Sequence, residues 1–155
     1  MALSKLDQLY RQVILDHSKH PHHHGELTES QTYELKNPTC GDVIQLHLQL
    51  DDGKVKEARF TGEGCSISTA SASMMCDAII GHRIEEVEEM IHDFSSLVQG
   101  EDVDNEALGD AALLSGVAKF PARIKCATLS WKALEHLLEE EKSETCVCHY
   151  HKEEE

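Results

Sequence analysis

The chain has 155 residues, 40% of them hydrophobic, with 14 Lys and Arg against 29 Asp and Glu and a formal net charge of −15. That length suits one domain able to bury a core without disulfide staples, and the acidic balance disfavours nucleic acid and anionic membrane as partners. Charges throughout residues 1–20 argue against a signal peptide, and no window reaches the roughly 20 apolar residues of a membrane span, so a cytosolic protein with reduced thiols is expected.

In chain order, Leu3, Leu6, Leu9, Tyr10, Val13 and Ile14 recur at three and four, which predicts an amphipathic helix over 3–14, with Ser4 as N-cap. A connector follows from His17 to Gly25. The period then changes to two: Tyr33 and Leu35 alternate, and Ile44, Leu46, Leu48 and Leu50 are separated by Gln45, His47 and Gln49. Asp52-Gly53 supplies a hairpin turn, and Val55 to Thr61 returns as a partner strand. The second half reads as helices over 67–80, 84–98, 105–117 and about 122–141, the first with Ile67, Ala70, Ser71, Met74 and Ala78 along one face. Strands followed by helices imply an α+β fold, a small antiparallel three-stranded sheet packed against a layer of helices. The domain is expected over 1–142, with 143–155 a disordered acidic tail.

Three of the six cysteines lie where elements meet: Cys40 in NPTCGD before the long strand, Cys65 in GEGCSIS before a helix, and Cys126 in FPARIKCA near a helix start. They lie far too distant in sequence for a local zinc knuckle, so only the folded sheet and helix layer brings them together. A cysteine at a helix N-terminus has its thiolate stabilised by the dipole and free N–H groups, so Cys65 should ionise readily. Asp42 follows Cys40 by two residues, and in an extended segment such positions point the same way. Three thiolates and one carboxylate would close a tetrahedron, and their softness selects zinc, or iron within a cluster, over magnesium or calcium. The excess negative charge would be offset by Arg123 and Lys125. Against this stands the plain reading of each cysteine as a small buried hydrophobe, of Asp42 as a solvated turn residue, and of both cations as surface charges. Cys76 lies about 16 Å beyond Cys65 along a helix and is assigned to core or helix surface.

Two further tracts invite a metal reading: His20, His22, His23 and His24, broken by Pro21, and Cys146-Val147-Cys148-His149-Tyr150-His151 in the tail. Each is read as an adventitious binder at most. A thiol hydrolase pairing Cys40 with His47 is a poor alternative, because His47 falls on the polar face of its strand and no oxyanion arrangement is visible.

The segments NPTCGD, GEGCSIS and FPARIKCA, with the early stretch LYRQVILDHSKHPHHHG, together resemble the U-type iron-sulfur assembly proteins, the IscU and SufU family, from about Leu9 to Glu139. The resemblance implies metal binding by Cys40, Asp42, Cys65 and Cys126, and reads residues 17–25 as a family connector rather than a metal tract. Lys125 stands where IscU scaffolds carry a histidine, and the span between the second and third motifs, including residues near Arg83 to Val103, is longer. Both features are similar to the SufU branch. That branch implies Zn²⁺ and a sulfur acceptor, at most a zinc-dependent sulfurtransferase, with Cys40 receiving persulfide sulfur from a SufS-like cysteine desulfurase and passing it to downstream iron-sulfur assembly or acceptor proteins. The alternatives are a scaffold on which Cys40, Cys65 and Cys126 hold a transient [2Fe-2S] cluster or iron, and a module whose zinc is purely structural.

Overall fold

The computed structural model describes residues 5–37, 41–103 and 106–154, with side chains described over 11–37, 41–103 and 106–140. The first element is helix α1 (Lys5–Lys19), followed by strands β1 (Gln31–Asn37), β2 (Asp42–Asp51) and β3 (Lys54–Glu63). Helices α2 (Ser66–Ile79) and α3 (Ile84–Val98), a 3₁₀ segment (Glu106–Lys119) and helix α4 (Pro121–Glu154) complete the chain. The sheet is antiparallel in the order β1-β2-β3, with Leu35 opposite Ile44, and Leu46 opposite Phe60. The expected α+β arrangement of a three-stranded sheet against helices is therefore the observed one.

The period-two pattern explains which face the sheet buries. Ile44, Leu46, Leu48, Ala58 and Phe60 are all buried, with α4 lying along β1 and β2, and α2 against β3. Trp131 of α4 stacks on Phe94 of α3 with ring centroids 4.3 Å apart, which closes the helical side of the core. The two faces of β2 are less different than the alternation predicts: His47, expected on a polar face, is buried between Thr32 and Arg59 of the neighbouring strands.

Several boundaries differ from the sequence expectation, each for a physical reason. Helix α1 continues past Ile14 through His17, which is buried, and stops just before His20-Pro21, where the residue preceding a proline is pushed out of helical geometry. The connector does not run free. Gly25 N donates to Phe60 O and Phe60 N donates to His23 O, so residues 23–25 cover the open edge of β3. Helix α2 is buried nearly all round, Ser68 and residues 70–76 included, instead of along one face. The helix expected over 105–117 is a 3₁₀ segment broken at Gly109, whose φ of 54° and ψ of −132° no helix accommodates; Asn105 lies outside the described residues. Helix α4 continues through the acidic stretch for which disorder was expected, to Glu154, and the side chains of Cys146 and Cys148 lie outside the described ones.

Candidate metal centre

The site forms where β2 begins, β3 ends and α2 and α4 start. At its sheet side, Asn37 O accepts a hydrogen bond from Gly41 N at 2.8 Å, drawing together the ends of the β1–β2 connection. Gly41 has φ of +74°, a conformation that costs an L side chain energy. Cys40, the expected nucleophile and fourth ligand, lies in this connection and outside the described residues. Across the hairpin, Gly62 has φ of +129°, and a Cβ there would fall 2.0 Å from Val43 O. Only glycine lets β3 lie close enough to β2 to deliver Cys65 beside Asp42.

Asp42 is 2% exposed, and its burial is supported by hydrogen bonds to the carboxylate. Oδ1 accepts from Cys65 N at 2.9 Å, and Oδ2 accepts from the Ser68 hydroxyl at 2.6 Å. It is thus no solvated turn residue. It works with Cys65 to cap α2. Cys65 occupies the N-cap, its Sγ accepting from Ser68 N at 3.5 Å and lying 3.6 Å from Ser68 Oγ. Burial pushes the Cys65 thiol up, but the hydrogen bond from Ser68 N–H and the contacts of the sulfur with the Ser68 hydroxyl and Cys126 together outweigh it, and the pKa is lowered. The expectation that Cys65 ionises readily is met, through these donors acting at a helix start.

Cys126 is fully buried in the second turn of α4. Its placement depends on Ser71, which sits on α2 between the two layers: the hydroxyl donates to Ala127 O at 2.5 Å and accepts from Trp131 Nε1 at 3.1 Å. This link pins α4 against α2 one residue beyond Cys126. The Cys65 and Cys126 sulfurs and an Asp42 carboxylate oxygen consequently all lie within 4.8 Å of one another. Tetrahedral zinc with bonds of roughly 2.0–2.3 Å needs ligand atoms no more than about 4 Å apart, so small side-chain movements bring these three onto one ion. Two soft sulfurs, one carboxylate and an adjoining cysteine in the sequence fit zinc or iron-sulfur chemistry and not a hard cation.

The remaining singled-out residues separate cleanly. Arg123 and Lys125 are exposed in the first turns of α4, with Phe120, 62% exposed, just before them. Cys76 is buried in the core, and burial pushes its thiol far above the ordinary range. His47 lies five residues along β2 from Asp42, about 17 Å in an extended strand, out of reach of this site. Ser68 was absent from the sequence expectations, and Ser71 entered them only as one residue on a face of α2. The signal was available for Ser68, a hydroxyl three residues after a helix N-cap, whereas the role of Ser71 depends on α4 and had no local signature.

The profile of the NifU-like N-terminal domain family matches residues 9–127. The zinc-dependent sulfurtransferase SufU of Bacillus subtilis (strain 168) is 56% identical over 133 residues, covering 85% of this chain and 90% of that protein. The iron-sulfur cluster assembly scaffold protein IscU of Streptococcus pyogenes serotype M1 is 54% identical over 139 residues, covering 89% and 87%. Among solved structures, FiSufU of Fervidobacterium islandicum AW-1 superposes with a TM-score of 0.79 at 35% identity, covering 84% of this chain and 97% of that one. The chain belongs to the NifU-like N-terminal domain family and is similar both to proteins named IscU and to one named SufU.

Proposed function

We propose that this protein works in iron-sulfur cluster assembly as a zinc-binding sulfur acceptor, taking persulfide sulfur from a SufS-like cysteine desulfurase onto Cys40 and passing it to downstream iron-sulfur assembly or acceptor proteins. The observation that carries this reading is the convergence of Asp42, Cys65 and Cys126 within 4.8 Å, two residues along the chain from Cys40. The relative named a zinc-dependent sulfurtransferase supports the metal and the chemistry. Lys125, in the place where IscU scaffolds have a histidine, supports the acceptor over the scaffold. No helix among the described residues is long and apolar enough to cross a membrane; the cytosol as site of action is part of the proposal.

In this reading Cys40, Asp42, Cys65 and Cys126 would hold the zinc, and the ion, when bound, would supply the charge that keeps the Cys40 sulfur deprotonated at neutral pH. Asp42 is oriented by Cys65 N–H and the Ser68 hydroxyl, and Cys65 by its helix cap, so the position of neither depends on Cys40. The Cys40 thiolate then attacks the outer sulfur of the desulfurase persulfide. A bond forms from Cys40 Sγ to that sulfur, the persulfide S–S bond breaks, and the desulfurase cysteine leaves as a thiolate, its outer S–H proton staying with the transferred sulfur. Exposed Arg123 and Lys125 offset negative charge at the site and, with Phe120, offer the partner a mixed cationic and apolar contact.

Measuring desulfurase turnover with and without the protein, while recording bound zinc, tests the proposal. Wild type should accelerate turnover, and Cys40→Ala should remain folded and give none. A stable coloured [2Fe-2S] species after anaerobic reconstitution, without acceleration, would replace the acceptor by the scaffold that the Streptococcus relative's name denotes.

A further inference from the structure

A second group of ligand-type side chains lies on the opposite half of α2. His17 of α1, His22 of the connector and Asp77 of α2 each offer an atom within 4.8 Å of the others. We propose that these three residues form a second site for a divalent transition ion of the zinc, cobalt, nickel and copper class, built from two imidazoles and one carboxylate without sulfur.

The site is organised before any ion arrives. His17 is 4% exposed, and its Nε2 lies 3.1 Å from Asp110 Oδ2. A carboxylate on the far nitrogen is the usual orienting contact behind a metal-bound imidazole, because it fixes the tautomer and raises the basicity of the near nitrogen. With Nε2 donating to Asp110, Nδ1 carries the lone pair, and it accepts from the Ser73 hydroxyl at 2.7 Å. The same Ser73 oxygen accepts from His22 N at 2.8 Å, which sets the connector backbone over α2. The His17 and His22 rings stand 4.5 Å apart, tilted by 47°.

Asp77 supplies the anionic ligand. Oδ2 lies 2.5 Å from His22 Nδ1 and Oδ1 lies 2.9 Å from His23 Nε2. It stands two residues before the end of α2, where the helix dipole disfavours a negative charge and favours a cation beside it. A tetrahedral ion bonded to imidazole nitrogen and carboxylate oxygen spaces them by about 3.3 Å. Reaching that spacing from 2.5 Å needs a small opening of the His22–Asp77 contact and a turn of the Ser73 hydroxyl away from His17. His22 is half exposed, which provides an entry path, and the overall negative charge concentrates cations near the surface. An ion here would clip α1, the connector and α2 together. The inference stands independently of the proposed sulfur transfer.

The test is titration of the untagged, full-length, zinc-loaded protein with Co²⁺, followed by absorption and calorimetry. Ions entering thiolate sites, including the tail cysteines, give a sulfur-to-cobalt charge-transfer band. The proposed site should take up one equivalent that adds visible ligand-field absorption without that band. Asp77→Asn and His22→Gln, both at exposed positions, should weaken this equivalent by roughly tenfold or more, whereas His20→Gln and His149→Gln/His151→Gln should leave it unchanged. Absence of a sulfur-free equivalent overturns the proposal. So does its persistence in Asp77→Asn and His22→Gln, or its loss in the tail variant, which would mark adventitious binding by the tail.

Discussion

The two ends of α2 are built for opposite charges. At the N-terminal end, Cys65 caps the helix, Asp42 accepts from the Cys65 N–H and the Ser68 hydroxyl, and the local field favours thiolate and carboxylate. At the other end, two histidines gather on Asp77, and the field favours a cation. A single buried helix thus sorts its polar neighbours by dipole, with sulfur chemistry at the positive end and imidazole at the negative one. Ser71, midway along, ties the helix to α4 and sets the depth at which the sulfur end sits.

The largest effect that breaks this comparison should come from Gly62→Ala. A Cβ 2.0 Å from Val43 O cannot be absorbed by a flexible side chain, since the obstacle is backbone. Separating β2 from β3 should cost about 3 kcal/mol or more and carry Cys65 away from Asp42. Denaturant unfolding should show the loss of stability, and zinc content should fall with it, while an equivalent change at Gly53, where nothing lies within 4 Å, should keep zinc bound despite the strain of its φ.

Next in size is Asp42→Ala, which acts on the sulfur end alone. It leaves Cys65 N–H and the Ser68 hydroxyl without their buried acceptor, a loss of about 2 kcal/mol. It also removes a proposed ligand. Asp42→Asn separates the two consequences, because the amide oxygen can still accept one hydrogen bond but carries no charge. Thermal unfolding should show Asp42→Asn closer to wild type than Asp42→Ala, while both lose tight zinc and desulfurase stimulation.

Ser71→Ala sharpens the comparison, since it disturbs the link between α2 and α4 without touching any proposed ligand. The Trp131 N–H and the Ala127 carbonyl each lose a buried partner, at a cost of about 1–2 kcal/mol. Zinc should still bind, more weakly, because Cys126 moves with α4, and the histidine end should keep its affinity for Co²⁺. A drop at both ends would mean that α2 moves as a body and that the two clusters are not separable.

How much of this was legible beforehand depended on the range over which each signal acts. Alternation in Ile44 to Leu50 and the Asp52-Gly53 turn are local, and they correctly implied the hairpin. Cys65 at a helix start was likewise readable, because the cap and the chemistry share the same few residues. The histidine tract was not. His22 and His23 take their meaning from Asp77, and His17 from Ser73 and Asp110, all more than 50 positions away. Nothing nearby marks those partners. The 3₁₀ segment failed for another reason, since a helical apolar period survives a single glycine in sequence while one positive φ at Gly109 breaks it in space.

The smallest effect tests the electrostatic half of the comparison in metal-free protein. Cys65 and Cys76 sit on the same helix, yet hydrogen bonds at the N-cap lower the first thiol and burial raises the second. Since the thiolate is the reactive form, a lowered pKa means that alkylation by iodoacetamide reaches half its maximal rate at a pH below that of an unperturbed thiol. Raising the pH through neutrality should therefore label Cys65, while native Cys76 should stay unlabelled throughout. Peptide mass analysis after timed labelling distinguishes the sites. Ser68→Ala removes the hydroxyl contact with Cys65 Sγ while its backbone N–H remains, so the Cys65 midpoint should move upward. A midpoint unchanged by Ser68→Ala would assign the lowering to the helix start and its backbone N–H groups alone.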